Sequence, residues 1–194
     1  MLKKRIIPTL LIKDSSIVKT IKFKNPRIVG DIKSTIQVFA IRLADEICIV
    51  DIEARKNRNI NFELIGNVAK LANMPLTYGG YIQSLTNAKD LYQSGVDKLM
   101  LRTLLLENID EVKKISDWFG YQSIIACVDY VGSGKEAFCV YGPNNQISKI
   151  TLIDYINIIT KIGVGEILIN SVDRDGTMLG YDVKTLKVIT SLTK

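Results

Sequence analysis

Short apolar runs alternate with amphipathic stretches along the whole chain, and this alternation limits the fold more than any other feature. Residues 5–12, 46–52, 74–78, 97–101, 122–129 and 165–170 read as strands. Helical periodicity fills 32–43, 61–72, 84–94, 107–118, 151–162 and 182–193. In 107–118, Ile109, Val112, Ile115 and Phe119 line one stripe, while Glu111, Lys113 and Lys114 face outward. Strands that are apolar along their whole length need cover on both faces. A regular β-then-α succession provides that cover as a parallel sheet with helices outside. A polar-aromatic stretch over 130–148, with Gly132, Gly134 and Gly142, predicts a hairpin excursion after the fifth strand.

Roughly six such units follow one another, spaced about 25–35 residues apart. A closed (β/α)₈ barrel takes eight units and about 250 residues. The 194 residues here therefore predict one α/β domain over 1–194, either an open doubly wound sheet or an incomplete TIM-type barrel. The 47% apolar content is ample for a packed core. No uncharged apolar run reaches about 18 residues, so no membrane span is expected. The basic-then-apolar start, Met1-Leu2-Lys3-Lys4-Arg5-Ile6-Ile7-Pro8, superficially imitates a signal peptide. Pro8 and Lys13 break it, no small-residue cleavage site follows, and it reads as the first strand.

The chain contains no histidine. That excludes Ser-His and Cys-His nucleophilic machinery and the common histidine-containing metal sites. A general acid or base must then be a carboxylate, lysine, tyrosine or cysteine. Cys48, Cys127 and Cys139 are widely spaced without a C-x-x-C pair, which predicts reduced, buried thiols in a cytoplasmic protein and no structural zinc. The net charge of +6 comes from scattered lysines without basic runs. It favours solubility and phosphorylated metabolites over nucleic acid.

Candidate chemistry gathers at strand ends, where α/β proteins place their sites. The richest segment follows the sixth strand, where Ser171-Val172-Asp173-Arg174-Asp175-Gly176-Thr177 combines carboxylates, a guanidinium, a hydroxyl and a glycine. Gly79 and Gly80 end the third strand, with Ser84 opening a helix. They could cradle a phosphate or simply form a tight turn. Asp51 ends the second strand as a site carboxylate, a helix cap or half of an ion pair. Asp129 ends the fifth and is the first choice for a general acid or base. Arg102-Thr103 closes the fourth, where the arginine could clamp phosphate or solvate the rim. At the opposite ends, Arg5, Glu46, Lys98 and Glu166 stand at strand beginnings. In a barrel they could form an alternating ring; otherwise they are ordinary edge charges.

Several segments together resemble a known family. These are Met1 to Pro8, Thr77-Tyr78-Gly79-Gly80, Phe119-Gly120-Tyr121-Gln122-Ser123 and the run from Gly165 to Thr177. In this order and spacing they resemble the HisF family, the cyclase subunit of imidazole glycerol phosphate synthase in histidine biosynthesis. The resemblance implies a (β/α)₈ barrel that receives ammonia from a HisH-like glutaminase docked at the strand N-terminal face. It implies addition of that ammonia to a phosphorylated ribulosyl intermediate and closure of an imidazole ring, with no cofactor and no metal. Asp129 matches the family's strand-five catalytic aspartate. Lys19, Asp51, Gly79, Gly80, Thr103, Asp175, Gly176 and Thr177 match positions that line or support the substrate site. Arg5, Glu46, Lys98 and Glu166 match the ammonia gate.

The departures are as informative. Leu11 stands where the family has its strand-one catalytic aspartate, and losing one member of an acid/base pair costs about 10²–10⁴ in rate. Tyr81 replaces a third glycine, and Arg102 stands in place of asparagine. The last two β/α units are expected to be absent, and with them the second phosphate-binding loop. Leu11 is similar to HisF-like relatives in surface-polysaccharide clusters, where the barrel supplies ammonia for acetamidino modification of a nucleotide-linked sugar. A truncated, inactive remnant or interaction module is the third expectation. An open six-stranded sheet would then expose the edges of its first and sixth strands.

Overall fold

The computed structural model describes residues 4–141 and 146–193; Met1, Leu2, Lys3 and Gly142 of the motifs above lie outside them. The strands are β1 (Thr9–Lys13), β2 (Ser16–Ile21), β3 (Lys24–Asp31), β4 (Ile47–Asp51), β5 (Leu76–Gly79), β6 (Lys98–Leu101), β7 (Ile124–Val131), β8 (Phe138–Tyr141), β9 (Gln146–Thr151) and β10 (Glu166–Ser171). The helices are α1 (Ile32–Ile41), α2 (Ala54–Asn57), α3 (Phe62–Leu71), α4 (Leu85–Gln93), α5 (Thr103–Glu107), α6 (Ile109–Phe119), α7 (Leu152–Ile162) and α8 (Val183–Thr190). The longer helices start where a short polar side chain can cap them. Asp31, Asn61, Ser84, Asn108, Thr151 and Asp182 each accept a first-turn backbone amide.

A parallel spine runs β1-β4-β5-β6-β7-β10. Antiparallel strands flank it, β2 and β3 beside β1, and β8 and β9 beside the far half of β7. Alternation along each strand gives the spine two different faces. The outer face packs Leu10, Ile12, Ile49, Tyr78, Leu99, Leu101 and Ala126 against buried helix residues such as Ile36, Ile65, Leu91, Val112 and Ile156. The inner face carries a smaller cluster of Cys48, Met100 and Ile125, flanked by Ile7, Val50, Cys127 and Leu168. All the major helices therefore cover one side, as in a barrel and not as in a doubly wound sheet.

The barrel is not closed by backbone pairing, since β10 pairs only with β7 among the described residues. Side chains and loops span the gap instead. Arg5 Nη2 meets Glu166 Oε2 at 2.8 Å near the strand beginnings. Near the strand ends, Lys22 N donates to the Asp175 carbonyl at 2.9 Å.

Four features differ from the sequence reading. The β2–β3 hairpin is new. The β1–β2 turn places Asp14 and Ser15, and the β2–β3 turn places Lys22 and Phe23, at positive φ without a glycine, so the usual turn signal is missing. The edge of the first strand is consequently not bare, because Leu11, Ile12 and Lys13 pair with Val18, Ile17 and Ser16. The first strand begins at Thr9, not residue 5, so Arg5 lies in the lead-in, upstream of Pro8, which has no N–H to give to a ladder. Glu111 turns inward, where its Oε1 accepts the Leu85 amide at 2.8 Å and so caps the neighbouring helix α4.

Candidate active site

The inner face has two polar ends separated by the apolar layer. At the strand beginnings, Lys98 and Glu166 open β6 and β10, Glu46 stands one residue before β4, and Arg5 reaches in from the lead-in. Same-face alternation with Met100, Leu168, Cys48 and Ile7 points all four toward the axis. They form a closed ring of alternating charge. Arg5 Nη1 lies 2.9 Å from Glu46 Oε2, Lys98 Nζ lies 2.8 Å from the same oxygen, and Lys98 Nζ lies 2.7 Å from Glu166 Oε1. The Arg5–Glu166 pair completes the circuit.

Glu46 is the most buried member at 1% exposed, and its other oxygen accepts the Thr77 hydroxyl at 2.8 Å. Such burial is tolerated because both carboxylate oxygens meet a donor, two of the three partners being cations. Burial acts to lower the Lys98 ammonium, but hydrogen bonds and charge from Glu166 and Glu46 outweigh it and hold its pKa above the ordinary value. Thr77 belongs to the Thr77-Tyr78-Gly79-Gly80 motif, but the sequence assigns it no part in the ring. The signal available was its register, because it pairs with Cys48 on one side and Lys98 on the other.

At the opposite ends, Asp129 is 4% exposed on β7. Its Oδ2 lies 2.8 Å from Arg102 Nε, an ion pair linking the ends of β6 and β7. Arg102 is therefore committed to a carboxylate and does not merely solvate the rim. Asn170 stands opposite Asp129 in the β7–β10 ladder, and the Cys127 thiol lies 4.0 Å from Asp129 Oδ1. Burial pushes the Asp129 carboxyl above the ordinary aspartate range, and the opposing pull of Arg102 and then Asn170 reduces that rise without cancelling it. On β1, Leu11 registers with Val50 on the same inner face, so the strand-one position of this end is apolar.

The remaining candidates surround this end in different ways. Asp51 Oδ1 accepts the Glu53 and Ala54 amides, both at 2.9 Å, and so caps the short helix α2. At Gly79 a Cβ would stand 2.5 Å from Met100 Cε, so the flexible end of that methionine would have to shift. A Cβ on Gly80 would stand 3.1 Å from the Asp51 carbonyl oxygen. Tyr81 follows at φ 49, a left-handed conformation that suits glycine far better than tyrosine. At the α4 N-terminus, Leu85 N and Asn87 N are already bound by Glu111 and Ser84. Thr103 Oγ1 accepts from Arg55 Nη1 at 2.6 Å.

The loop after β10 is held by the β2–β3 hairpin. Asp175 Oδ2 accepts the Thr20 hydroxyl at 2.8 Å and the Phe23 amide at 3.1 Å. Gly176, at φ 67, packs so tightly that a Cβ would overlap the Thr20 carbonyl oxygen. Thr177 Oγ1 donates to the Arg174 carbonyl at 2.8 Å, which shapes the loop's own turn. Lys19, next to Thr20 on the hairpin, is exposed and opposite Arg27. The structure thus gathers Asp129, Asp175, Gly176 and Thr177 at one end of the barrel axis and leaves Lys19 on its rim. Among the described residues no cluster suits a metal ion, and no helix is long and apolar enough to cross a membrane.

Helices covering one side of a curled parallel sheet, with polar side chains at both ends of its inner face, define a (β/α)-barrel protein. Sequence comparison agrees. The profile of the histidine biosynthesis protein family matches residues 5–194, and the chain belongs to that family. A Campylobacter jejuni protein, provisionally named imidazole glycerol phosphate synthase subunit hisF2, is 39% identical over 100% of this chain and 77% of its own length. A Pseudomonas aeruginosa protein with the same provisional name is 37% identical over 98% of this chain and 77% of its own. Imidazole glycerol phosphate synthase subunit HisF of Lactococcus lactis is 36% identical over 98% of this chain and 75% of its own.

Proposed function

We propose that this chain is a HisF-like subunit of a glutamine-dependent synthase. It takes ammonia from a glutaminase partner at the ring of Arg5, Glu46, Lys98 and Glu166 and delivers it to a phosphorylated substrate at the Asp129 end. The single observation that carries this reading is the closed ring lying beneath an apolar layer on the same inner face. A ring of paired charges excludes bulk water and ions, and it opens when one pair gives way. An apolar layer above it favours neutral ammonia over ammonium, because moving an unpaired cation into such surroundings is strongly unfavourable. The names of the relatives support the synthase class. The substrate of that class is a phosphorylated ribulosyl intermediate, for which Asp175, Gly176 and Thr177 supply loop contacts and Lys19 a cation.

Leu11 and the Arg102–Asp129 pair favour a second reading for the final step. Ring closure by proton shuttling between two carboxylates has only one carboxylate here. The same ammonia path would serve acetamidino modification of a nucleotide-linked sugar equally well, because that chemistry needs ammonia delivered and does not need cyclisation.

The test is to mix the purified chain with the glutaminase encoded in its own genome and with amide-¹⁵N glutamine. Association on a sizing column and faster glutamine hydrolysis are expected, and Lys98→Met should uncouple hydrolysis from nitrogen transfer. No association and unchanged hydrolysis would sink the reading. Incorporation of ¹⁵N into an imidazole or into an amidino group distinguishes the two final steps.

A further inference from the structure

A 2.8 Å ion pair ties Asp129 Oδ2 to Arg102 in a site where Asp129 is 4% exposed, and a proton on this carboxyl would remove the negative charge that the guanidinium faces. Its partner is a guanidinium, a planar delocalised cation. We propose that Arg102 is a positioning residue that holds Asp129 as a charged hydrogen-bond acceptor for arriving ammonia, replacing a proton-shuttling carboxylate. This deepens the ammonia-delivery reading and rests on it for assigning the Asp129 end as the place where ammonia arrives.

The surroundings of Asp129 support such a role. Following the inner face upward from the ring, the side chains are Cys48, Met100 and Ile125, then Val50, Cys127 and Leu168. Asp129 is the next residue after Cys127 on that face of β7, and so the first carboxylate an ammonia molecule meets after the apolar layer. Ammonia has three N–H donors and one lone pair. Donating to a carboxylate that stays charged orients the molecule while leaving the lone pair available to an electrophile. A carboxylate that titrates near the working pH would spend part of its time protonated and would not accept those bonds.

The other groups facing Asp129 do not compete for this function. Cys127 on its own strand and Cys139 on β8 are thiols raised by burial, the latter to about 12, so both are neutral. Asn170 on β10 is uncharged. Asp175, in the loop after β10, repels a second negative charge but is itself engaged by Thr20 and Phe23. Arg102 is thus the cation of this group, and Leu11 on β1 offers no second carboxylate to share a proton.

The experiment is carbon-detected NMR of the full chain with ¹³C-carboxyl aspartate. Asp129 is assigned with Asp129→Asn, and its titration is followed in the unsubstituted protein, Arg102→Gln and Arg102→Lys. Removing the guanidinium charge should raise the Asp129 midpoint by about 1–3 pH units. Arg102→Lys should keep it near the unsubstituted value. Equal midpoints in the unsubstituted protein and Arg102→Gln would overturn the proposal. So would an unsubstituted midpoint near about pH 7, where a proton shuttle operates. That midpoint needs no Arg102 variant and decides the matter even if Arg102→Gln does not fold. None of these measurements needs glutaminase or substrate, so they fail independently of the ammonia-delivery reading.

Discussion

Arg5 Nη2 lies 2.8 Å from Glu166 Oε2 and ties the segment before β1 to the first residue of β10. No backbone ladder joins those two strands among the described residues. The inner face is therefore drawn together at this end by side-chain charge, and the ring is a structural joint as well as a candidate gate. Stability and ammonia handling should accordingly respond together when it is altered.

Glu46 is the centre of that joint, meeting Arg5, Lys98 and Thr77. Glu46→Ala leaves a buried hydroxyl without its acceptor and two cations short of one partner. A loss of about 3 kcal/mol is expected, at the lower end for a broken buried pair because Arg5 and Lys98 keep Glu166. Urea unfolding at neutral pH measures it, and a loss below about 1 kcal/mol would place the ring among ordinary surface pairs.

The same joint sets a pH profile. Burial pushes the Glu166 carboxyl upward, but Lys98 and Arg5 together hold it below its ordinary value of 4.5. A carboxylate with a depressed folded pKa adds stability above its unfolded value and loses it as pH falls through the folded value. Lys98 is held above its ordinary 10.5, so its contribution is present below that value and disappears as pH rises through the raised one. Urea midpoints should be flat between these limits and fall on both sides. Lys98→Met should shrink both falls, and an unchanged acid limb in that variant would count against the pairing.

Asp175 fastens the β2–β3 hairpin to the loop after β10, across 155 positions of sequence in its bond to Thr20. Asp175→Ala should cost about 1–3 kcal/mol. Hydrogen exchange should accelerate at Lys22 and Phe23 while the α3 and α4 amides keep their protection. Uniform acceleration throughout the chain would mean that the contact is not local.

Asp182 is a second fastening point. It caps α8 through Thr185 and accepts the Ser133 hydroxyl at 2.9 Å and the Tyr130 hydroxyl at 3.4 Å. Asp182→Ala should destabilise by about 1–3 kcal/mol, and Asp182→Asn by less, because the amide keeps one acceptor oxygen. Thermal unfolding of the two variants side by side gives the order.

Leu11→Asp restores a carboxylate to the inner face but leaves Asp129 bound to Arg102. With ammonium salts at high pH and a ribulosyl bisphosphate substrate, ring closure should stay undetectable in this variant, as in the unsubstituted chain. Appearance of aminoimidazole product would show that Leu11 alone blocks cyclisation.

The six parallel strands and the longer helices were legible because periodicity reports which face a residue buries. Glu46, Lys98 and Glu166 were legible because each interrupts an apolar run at its start. The β2–β3 hairpin was not, since Asp14, Ser15, Lys22 and Phe23 make left-handed turns with side chains that usually avoid them. Nor was the bond from Thr20 to Asp175, since a threonine in a strand carries no sign of a partner so far along the chain. Asp51 showed itself as a strand-end carboxylate, but only the fold reveals that its oxygen accepts the Glu53 and Ala54 amides at the start of α2.

Local pattern, by itself, determined the order of the six parallel strands and the longer helices, most of the residues that face the core, and the choice of Asp129 as the leading carboxylate. Tertiary structure alone decided that four scattered charges close into a ring and that Arg102 meets Asp129. The physical reason is range. Periodicity and capping act within a few residues, whereas ion pairs form between residues brought together by the curl of the sheet, and that curl is set by all its strands at once.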